Sequence, residues 1–262
     1  MMLFFPQLTT GAAALYPVTK QGTRRSVLNT LAGGNTVSYA DPSAAMAGWQ
    51  MRATGLTLAE WNAIESLFQQ TSGMAGTFTF LDPVGNLLLE SESFGAGAWT
   101  KGALVALTEG IGDPWGTARA TGLVNAGGAA AGVTQVLDVP GNFQYCLSVW
   151  ARSSAGSAVT LAIADVSRSF AVGTQWRRIF LPANPGLTGA TTVTFAATVA
   201  AGGSVELFGM QVEAQMGPSD YKATTAVGGV YSKARFGSDE LTVTAQGTDV
   251  YDAVIQIVSA GS

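Results

Sequence analysis

The sequence predicts a mainly β protein in which a discontinuous α+β domain, one sheet packed with one helix, carries an inserted β-sandwich. Three observations predict it. A single segment, Gly55 to Pro83, has the pattern of an amphipathic helix running into a strand. Residues 87–222 then break into about eight short strands with Gly, Ser and Pro punctuation and almost no helical period, the strand number of a two-sheet jelly roll. After Ala223 the chain returns to alternating strands with no helix of their own. The expected domains are therefore 1–86 joined with 223–262, and 87–222 between them. Inserting a sandwich at a loop is physically easy when its two ends lie close together.

The first domain begins with an apolar segment, Met1 to Leu8, in which Pro6 points to an edge or a terminal arm. Leu15 to Arg25 reads as a polar connection holding the local basic cluster Lys20, Arg24 and Arg25. That cluster is either a solvated loop or a charged contact with a neighbouring subunit. A strand is expected at Thr36–Ala40, closed by Asp41-Pro42, and another over Ala44–Thr54. Next comes the helix. Thr57 and Glu60 form a capping box, in which two otherwise unpaired N–H groups are satisfied reciprocally. Leu58, Trp61, Ile64, Leu67 and Phe68 fall on one stripe, and Gly73 ends the helix because glycine enters the left-handed region without steric cost. Thr77 to Leu81 alternates as a strand and stops at Asp82-Pro83. Trp61, Ile64, Phe68, Phe78 and Phe80 are the predicted core. The closing strands are Val230–Phe236, Glu240–Ala245 and Tyr251–Val258.

In the insert, strands are expected at Leu104–Leu107, Gly116–Gly122, Gly132–Val139, Gln144–Arg152, Val159–Ala164, Gln175–Leu181, Thr191–Ala197 and Ser204–Glu213. Of its aromatic residues, Trp150 and Trp176 read as filling between two sheets. Trp115 sits in the loop-like stretch GDPWG and is either core or an exposed face for stacking on a sugar ring.

Composition removes several chemistries. There is no histidine and one cysteine among the 262 residues, which excludes Ser-His and Cys-His nucleophile pairs, His-ligated metals and an intrachain disulfide. Cys146 lies in a strand-like run and reads as a buried, inert thiol. Gly33-Gly34 and Gly228-Gly229 lack the spacing and the Lys-Ser/Thr of a phosphate loop. With a net charge of −4 and no basic stripe, nucleic-acid binding through phosphates is not expected. The apolar N-terminus has no basic residue before it and no long apolar core, and no run reaches membrane-spanning length, so neither a signal peptide nor a membrane span is expected and synthesis is placed in a cytoplasm. No cofactor or metal is implied. Two carboxylates would suffice for glycoside hydrolysis. The candidates are Glu90, Glu92, Glu109, Asp113, Asp165, Glu206 and Glu213, and no spacing singles out a pair; Glu206 and Glu213, seven apart in a strand, are expected on opposite faces. The expectation is therefore no enzyme. Only 11% of residues are charged, which suits β-structure packed against other subunits.

Taken together, FPQL near the N-terminus, GLTLAEWNAIESLFQQTSGMAGTFTFLDP and SKARFGSDELTVTAQGTDVYDAVIQIV resemble the tail-tip proteins of long-tailed bacteriophages, the lambda-type minor tail protein M and distal tail protein family. The resemblance covers a little under half of the chain. It implies a split-barrel-like sheet with one helix, and a homo-oligomeric ring, a hexamer favoured, that joins the tail tube to the tip complex. The implied partners are the tail tube protein, the tape measure protein and tip or hub proteins, and the implied location is the virion tail tip, assembled in the host cytoplasm. Asn86-Leu87-Leu88, Ala98-Trp99-Thr100-Lys101, YCLSVWAR, Gln175-Trp176-Arg177-Arg178, LFGMQVE and Pro218-Ser219-Asp220-Tyr221 resemble carbohydrate-binding-module-like jelly rolls. A compact tail protein of the M type has no such insert. The insert is expected either to dock other tail proteins or to bind a host surface polysaccharide, with Trp115 as its candidate contact. The alternatives are a stand-alone glycan-binding module and, behind it, a carboxylate-dependent glycosidase.

Overall fold

A computed structural model describes residues 2–260; Met1 and the last two residues of the expected 223–262 segment lie outside the described residues. The chain runs β1 (Val18–Thr30), β2 (Thr36–Leu56), α1 (Leu58–Gln70) and β3 (Phe78–Leu81). It continues through β4 (Thr100–Lys101), β5 (Val105–Ile111), β6 (Ala120–Asn125), β7 (Ala131–Leu137), β8 (Tyr145–Arg152) and β9 (Ala158–Ile163). Then come β10 (Val166–Ala171), β11 (Arg177–Ala183), β12 (Val193–Val199), β13 (Ser204–Glu213), β14 (Val230–Phe236), β15 (Val243–Gly247) and β16 (Val250–Ala260). The protein is mainly β with one helix, and it divides into two compact units.

The first unit holds the residues up to Leu8, Ala14–Phe80 and the chain from Tyr231 on. Its sheet has the order β1-β2-β16-β14-β3, with β15 also paired to β16. The helix forms where its local code places it. Glu60 donates its N–H to the Thr57 hydroxyl at 3.3 Å, and the Glu60 carboxylate accepts the Thr57 N–H at 2.9 Å. The expected stop at Gly73 is corrected: after the Thr71 cap it is Ser72 that takes the left-handed position, at φ +51°, and Gly73 follows at φ +65°, donating its N–H to the Phe68 carbonyl. Trp61, Ile64 and Leu67 are buried, Phe68 is half-buried against Phe236 at 5.1 Å, and Leu58 lies exposed at the helix start, off the stripe expected for it. Phe78 and Phe80 are buried, Phe80 edge-on to Trp49 at 4.9 Å. The N-terminal segment is no free arm: Phe5 donates to the Thr79 carbonyl and Thr79 to that of Leu3.

Two expectations for this unit are corrected. The basic segment Lys20–Arg25 is part of strand β1, and β2 is one 21-residue strand rather than two. Pro42 does not stop it because the register shifts between Thr23 and Arg25, so the missing N–H falls where the ladder is already interrupted.

The second unit holds Thr9–Ala13 and Leu81–Val230, so it begins and ends outside the expected 87 and 222 and takes in an N-terminal piece. Hydrogen bonding explains the wider bounds. Asp82 donates to Gly229, Gly229 to Asn86, Glu90 to Thr225 and Ala13 to Ala214. The buried Asn86 amide ties the ends to β13, donating to the Met210 and Lys222 carbonyls and accepting from Leu88 and Val212. The unit is a sandwich of two five-stranded sheets, β10-β9-β12-β7-β4 and β11-β8-β13-β6-β5, whose strand pairs are antiparallel. Leu123, Leu147, Val149, Leu161, Phe195 and Leu207 are among the side chains that fill the space between them. Strands β4 and β10 were not expected. VSRSFA of β10 is an edge strand with little buried area, so it carries no apolar alternation to read. Strand β6 starts four residues after the expected Gly116, because Asp113–Thr117 is folded into a turn.

Candidate functional site

The site is the outer face of the sheet β11-β8-β13-β6-β5. Alternation assigns it: Tyr145, Leu147, Val149 and Ala151 of β8 point into the sandwich, leaving Cys146, Ser148, Trp150 and Arg152 on the other side. Strand β13 begins in step, with Glu206 opposite Arg152 and Phe208 opposite Trp150. A bulge follows between Phe208 and Gln211, with Gly209 at φ +62°. It changes the parity, so Gln211 pairs with Ser148 and Glu213 with Cys146. Glu206 and Glu213 therefore share one face, against the expectation from simple alternation. The bulge is also why Phe208 can remain outside while Met210 and Val212 enter the core.

Two segments lie over this face. One is the turn 113–119. The Asp113 carboxylate accepts the N–H groups of Trp115 (2.8 Å) and Thr117 (3.2 Å), the Thr117 hydroxyl, and Nε of Arg119 (3.2 Å). Burial raises the Asp113 pKa, but these hydrogen bonds, led by the Thr117 hydroxyl, together with the Arg119 charge hold it below the ordinary value. The other segment is 218–222. Glu213 accepts the Ser219 N–H and hydroxyl and the Lys222 ammonium, Gln211 accepts the Lys222 N–H, and Arg178 donates to the Ser219 carbonyl at 2.6 Å.

Between them the two segments assemble an aromatic cluster. Trp115 lies 5.0 Å from Phe208 and 5.7 Å from Trp150, both edge-on, and 6.1 Å from Tyr221 with the rings 23° apart. The Arg119 guanidinium stands over Phe208 at 5.1 Å and Trp115 at 6.0 Å. Phe208 is fully buried, whereas Trp115 is 54% exposed. Polar groups ring the cluster. Arg119 donates to Glu92 at 3.0 Å, the Tyr221 hydroxyl touches Ser91 (2.8 Å) and Glu92 (3.2 Å), and Arg152 pairs with Glu206 while its guanidinium lies 4.7 Å over Trp176. Burial is the main cause that raises the Tyr221 pKa, so its hydroxyl stays protonated as a donor. The indole N–H groups of Trp150 and Trp176 and Nε of Arg178 are buried without an acceptor.

The outcome for the candidate residues is mixed. Trp115 is on the surface and central to the cluster. Trp150 and Trp176 are half-buried on the outer face, not between the sheets, because they have the opposite strand parity or lie just outside the strand. Trp99 and Tyr145 do fill the sandwich core. Of the carboxylates, Glu92 and Asp113 converge on Arg119, while Glu206 and Glu213 serve separate partners. Cys146 is buried beside Glu213, its partner on the neighbouring strand; burial, then the Glu213 charge, push its thiol up to about 12. Sequence reading missed Phe208, Arg119 and Tyr221 as site members. The parity of Trp150 against Leu147 and Val149 was the available signal that this face is aromatic. Among the described residues, no cluster of carboxylates and thiols has metal-holding geometry, and no helix is long and apolar enough to cross a membrane.

No family model and no curated protein sequence matches the chain. Solved structures similar to it include the enzymatically active domain of tailspike protein 4 of bacteriophage CBA120, at 18% identity and a TM-score of 0.39 over 49% of this chain and 21% of that one. A CBM22-1 xylan-binding domain from Paenibacillus barcinonensis is similar at 13% identity and a TM-score of 0.40, over 51% of this chain and 96% of that one. The module TmCBM61, solved with β-1,4-galactotriose, is similar at 15% identity and a TM-score of 0.38, over 48% and 97%. The chain thus spans about a fifth of the tailspike domain and nearly the whole of the two isolated modules.

Proposed function

We propose that the second unit binds a glycan on the outer face of the sheet β11-β8-β13-β6-β5. The observation that carries this reading is the exposed Trp115 ring, held rigid on Phe208 and Tyr221 and bordered by Arg119, Glu92, Arg152 and Glu206. An aromatic face accepts the apolar face of a pyranose, and fixed charged groups at its edge pair with hydroxyls. The carboxylates are engaged by arginines as fixed acceptors, which supports binding without catalysis. Affinity electrophoresis of the full chain against a panel of bacterial and plant polysaccharides tests it. Retardation by at least one polysaccharide is expected, abolished by Trp115→Ala with the melting profile retained. No retardation by any of them, or retardation indifferent to Trp115→Ala, refutes it. Release of reducing sugar from a retarding polysaccharide would make the protein an enzyme instead.

A second reading rests on the first unit. We infer that it builds a ring at a phage tail tip, hexameric as in the resemblance drawn from the sequence, between tail tube, tape measure and hub proteins. The β1–β2 hairpin supports it, because residues 19–36 and 38–40, most of β1 and the outer end of β2, are exposed. Electron microscopy of isolated tails labelled through this chain tests it: a ring at the distal end is expected, and label elsewhere or none refutes it.

A further inference from the structure

On the outer face of β8 and β11, four side chains form a two-by-two block. Trp150 of β8 pairs in register with Arg178 of β11. One alternation along, Arg152 of β8 stands beside Trp176, its guanidinium 4.7 Å over the indole ring. The block is rich in donors that the chain leaves without acceptors. The indole N–H groups of both tryptophans and Nε of Arg178 are buried with nothing to accept them. The other nitrogens of Arg178 reach only neutral oxygens, the Ser219 carbonyl at 2.6 Å and the Ser148 hydroxyl at 3.0 Å. Arg119, Arg152 and Lys222 on this face each pair with a carboxylate, and among the described residues Arg178 has none.

Buried donors without an acceptor are rare, because each forfeits the hydrogen bonds it made to water. Here three lie on neighbouring side chains, next to a guanidinium with no counter-charge. One kind of group answers both needs: an anion that accepts several hydrogen bonds at once. A carboxylate offers two oxygens with about four acceptor sites, and its plane matches that of a guanidinium. A sugar hydroxyl would leave Arg178 without a counter-charge. The three nitrogens are closed off from solvent, so a ligand reaches them only where a covering segment yields. Segment 218–222 is that cover: its Ser219 carbonyl sits on Arg178, and side chains of Glu213 and Gln211 tie it down.

We propose that the glycan received by this face is acidic, and that the carboxylate of a sugar acid docks on Arg178 between Trp150 and Trp176. The carboxylate takes the place of the Ser219 carbonyl on Arg178, and segment 218–222 shifts to admit it. This inference rests on the glycan-binding reading of the second unit and names the class of its ligand.

Affinity electrophoresis of the full chain against matched polysaccharides tests it. The carboxylated probes are polygalacturonate, alginate and hyaluronate, each run beside its carboxyl-reduced form; xylan and galactan are the neutral probes and dextran sulfate the sulfated one. At least one carboxylated polysaccharide should retard the protein, and carboxyl reduction should abolish the effect. This arm uses the unaltered chain, so it stands whatever a substitution does to the fold. Arg178→Gln should weaken the retardation about tenfold, as the loss of a charge-assisted contact does. Trp176→Phe keeps a ring beneath Arg152 and removes one N–H, and it should weaken the retardation by a smaller factor. Hydrogen exchange of segment 218–222 should change when the retarding polysaccharide is added. Equal retardation by the carboxylated and reduced forms, retardation by the neutral probes alone, or retardation by dextran sulfate as strong as by any carboxylated probe overturns the carboxylate contact and leaves the glycan reading standing. No retardation by any polysaccharide overturns both.

Discussion

Replacing Asp113 by Asn isolates the group that holds Trp115 in place. The amide oxygen can still accept the Trp115 and Thr117 N–H groups, but the NH₂ now faces Nε of Arg119, a donor against a donor. The change removes one charge-assisted hydrogen bond, worth about 1.5–3 kcal/mol where it is desolvated. Arg119 is half exposed and retains Glu92 at 3.0 Å, which lowers the expected loss to about 1–2 kcal/mol. For a unit of this size that corresponds to a fall of about 2–8 °C in melting temperature, or, where the turn frays alone, to a red shift of Trp115 emission without melting. The pH dependence gives a second readout. The folded-state pKa of Asp113 lies below its ordinary value of 3.8, so its ionisation stabilises the fold fully above that value. The contribution disappears as pH falls through the lower folded value, and wild type should converge on Asp113→Asn in strong acid. Differential scanning calorimetry and tryptophan emission between pH 7 and pH 2 measure both. Identical melting, emission and polysaccharide binding for the two proteins at neutral pH would refute the role given to this carboxylate.

Other perturbations address different parts of the molecule. Gly209→Ala should destabilise the second unit by about 1–2 kcal/mol through its left-handed backbone, and should also weaken polysaccharide retardation, because the new Cβ would stand 2.9 Å from the Tyr221 ring; unchanged retardation would show that Tyr221 is not part of the site. Cys146, with its thiol near 12, should remain unmodified by iodoacetamide at pH 8 until the protein is unfolded, and mass spectrometry of the native protein showing rapid alkylation would contradict its burial. Trp61→Ala should cost about 3–5 kcal/mol in urea unfolding of the first unit, since the indole is buried between α1 and the sheet; a loss below about 1 kcal/mol would mean that the helix contributes little to that core.

The helix and the strands were legible in the sequence to different degrees. Thr57 and Glu60 satisfy each other within one turn, so the start of α1 needs nothing from the rest of the chain. Strand β9, with one buried face, was equally readable from alternation. Strand β1 was not. Its residues are exposed on both faces, so no apolar period marks it, and Lys20–Arg25 looked like a loop although register places it in a ladder. Pro42 misled for a related reason, since whether a missing N–H matters depends on the opposite strand.

The sequence by itself determined that histidine and disulfide chemistry are absent, that one helix leads into one aromatic strand, and that many short strands follow. Those are properties of composition and of neighbours a few residues apart. Only the tertiary structure decided which aromatics meet. Tyr221 reaches Glu92 across 129 residues, and Glu213 joins Glu206 on the outer face because a bulge at Gly209 resets the parity of β13. A strand's period says that its side chains alternate; the pairing partner and the bulge say which way each one points, and the pairing is set by hydrogen bonds between segments far apart in the chain.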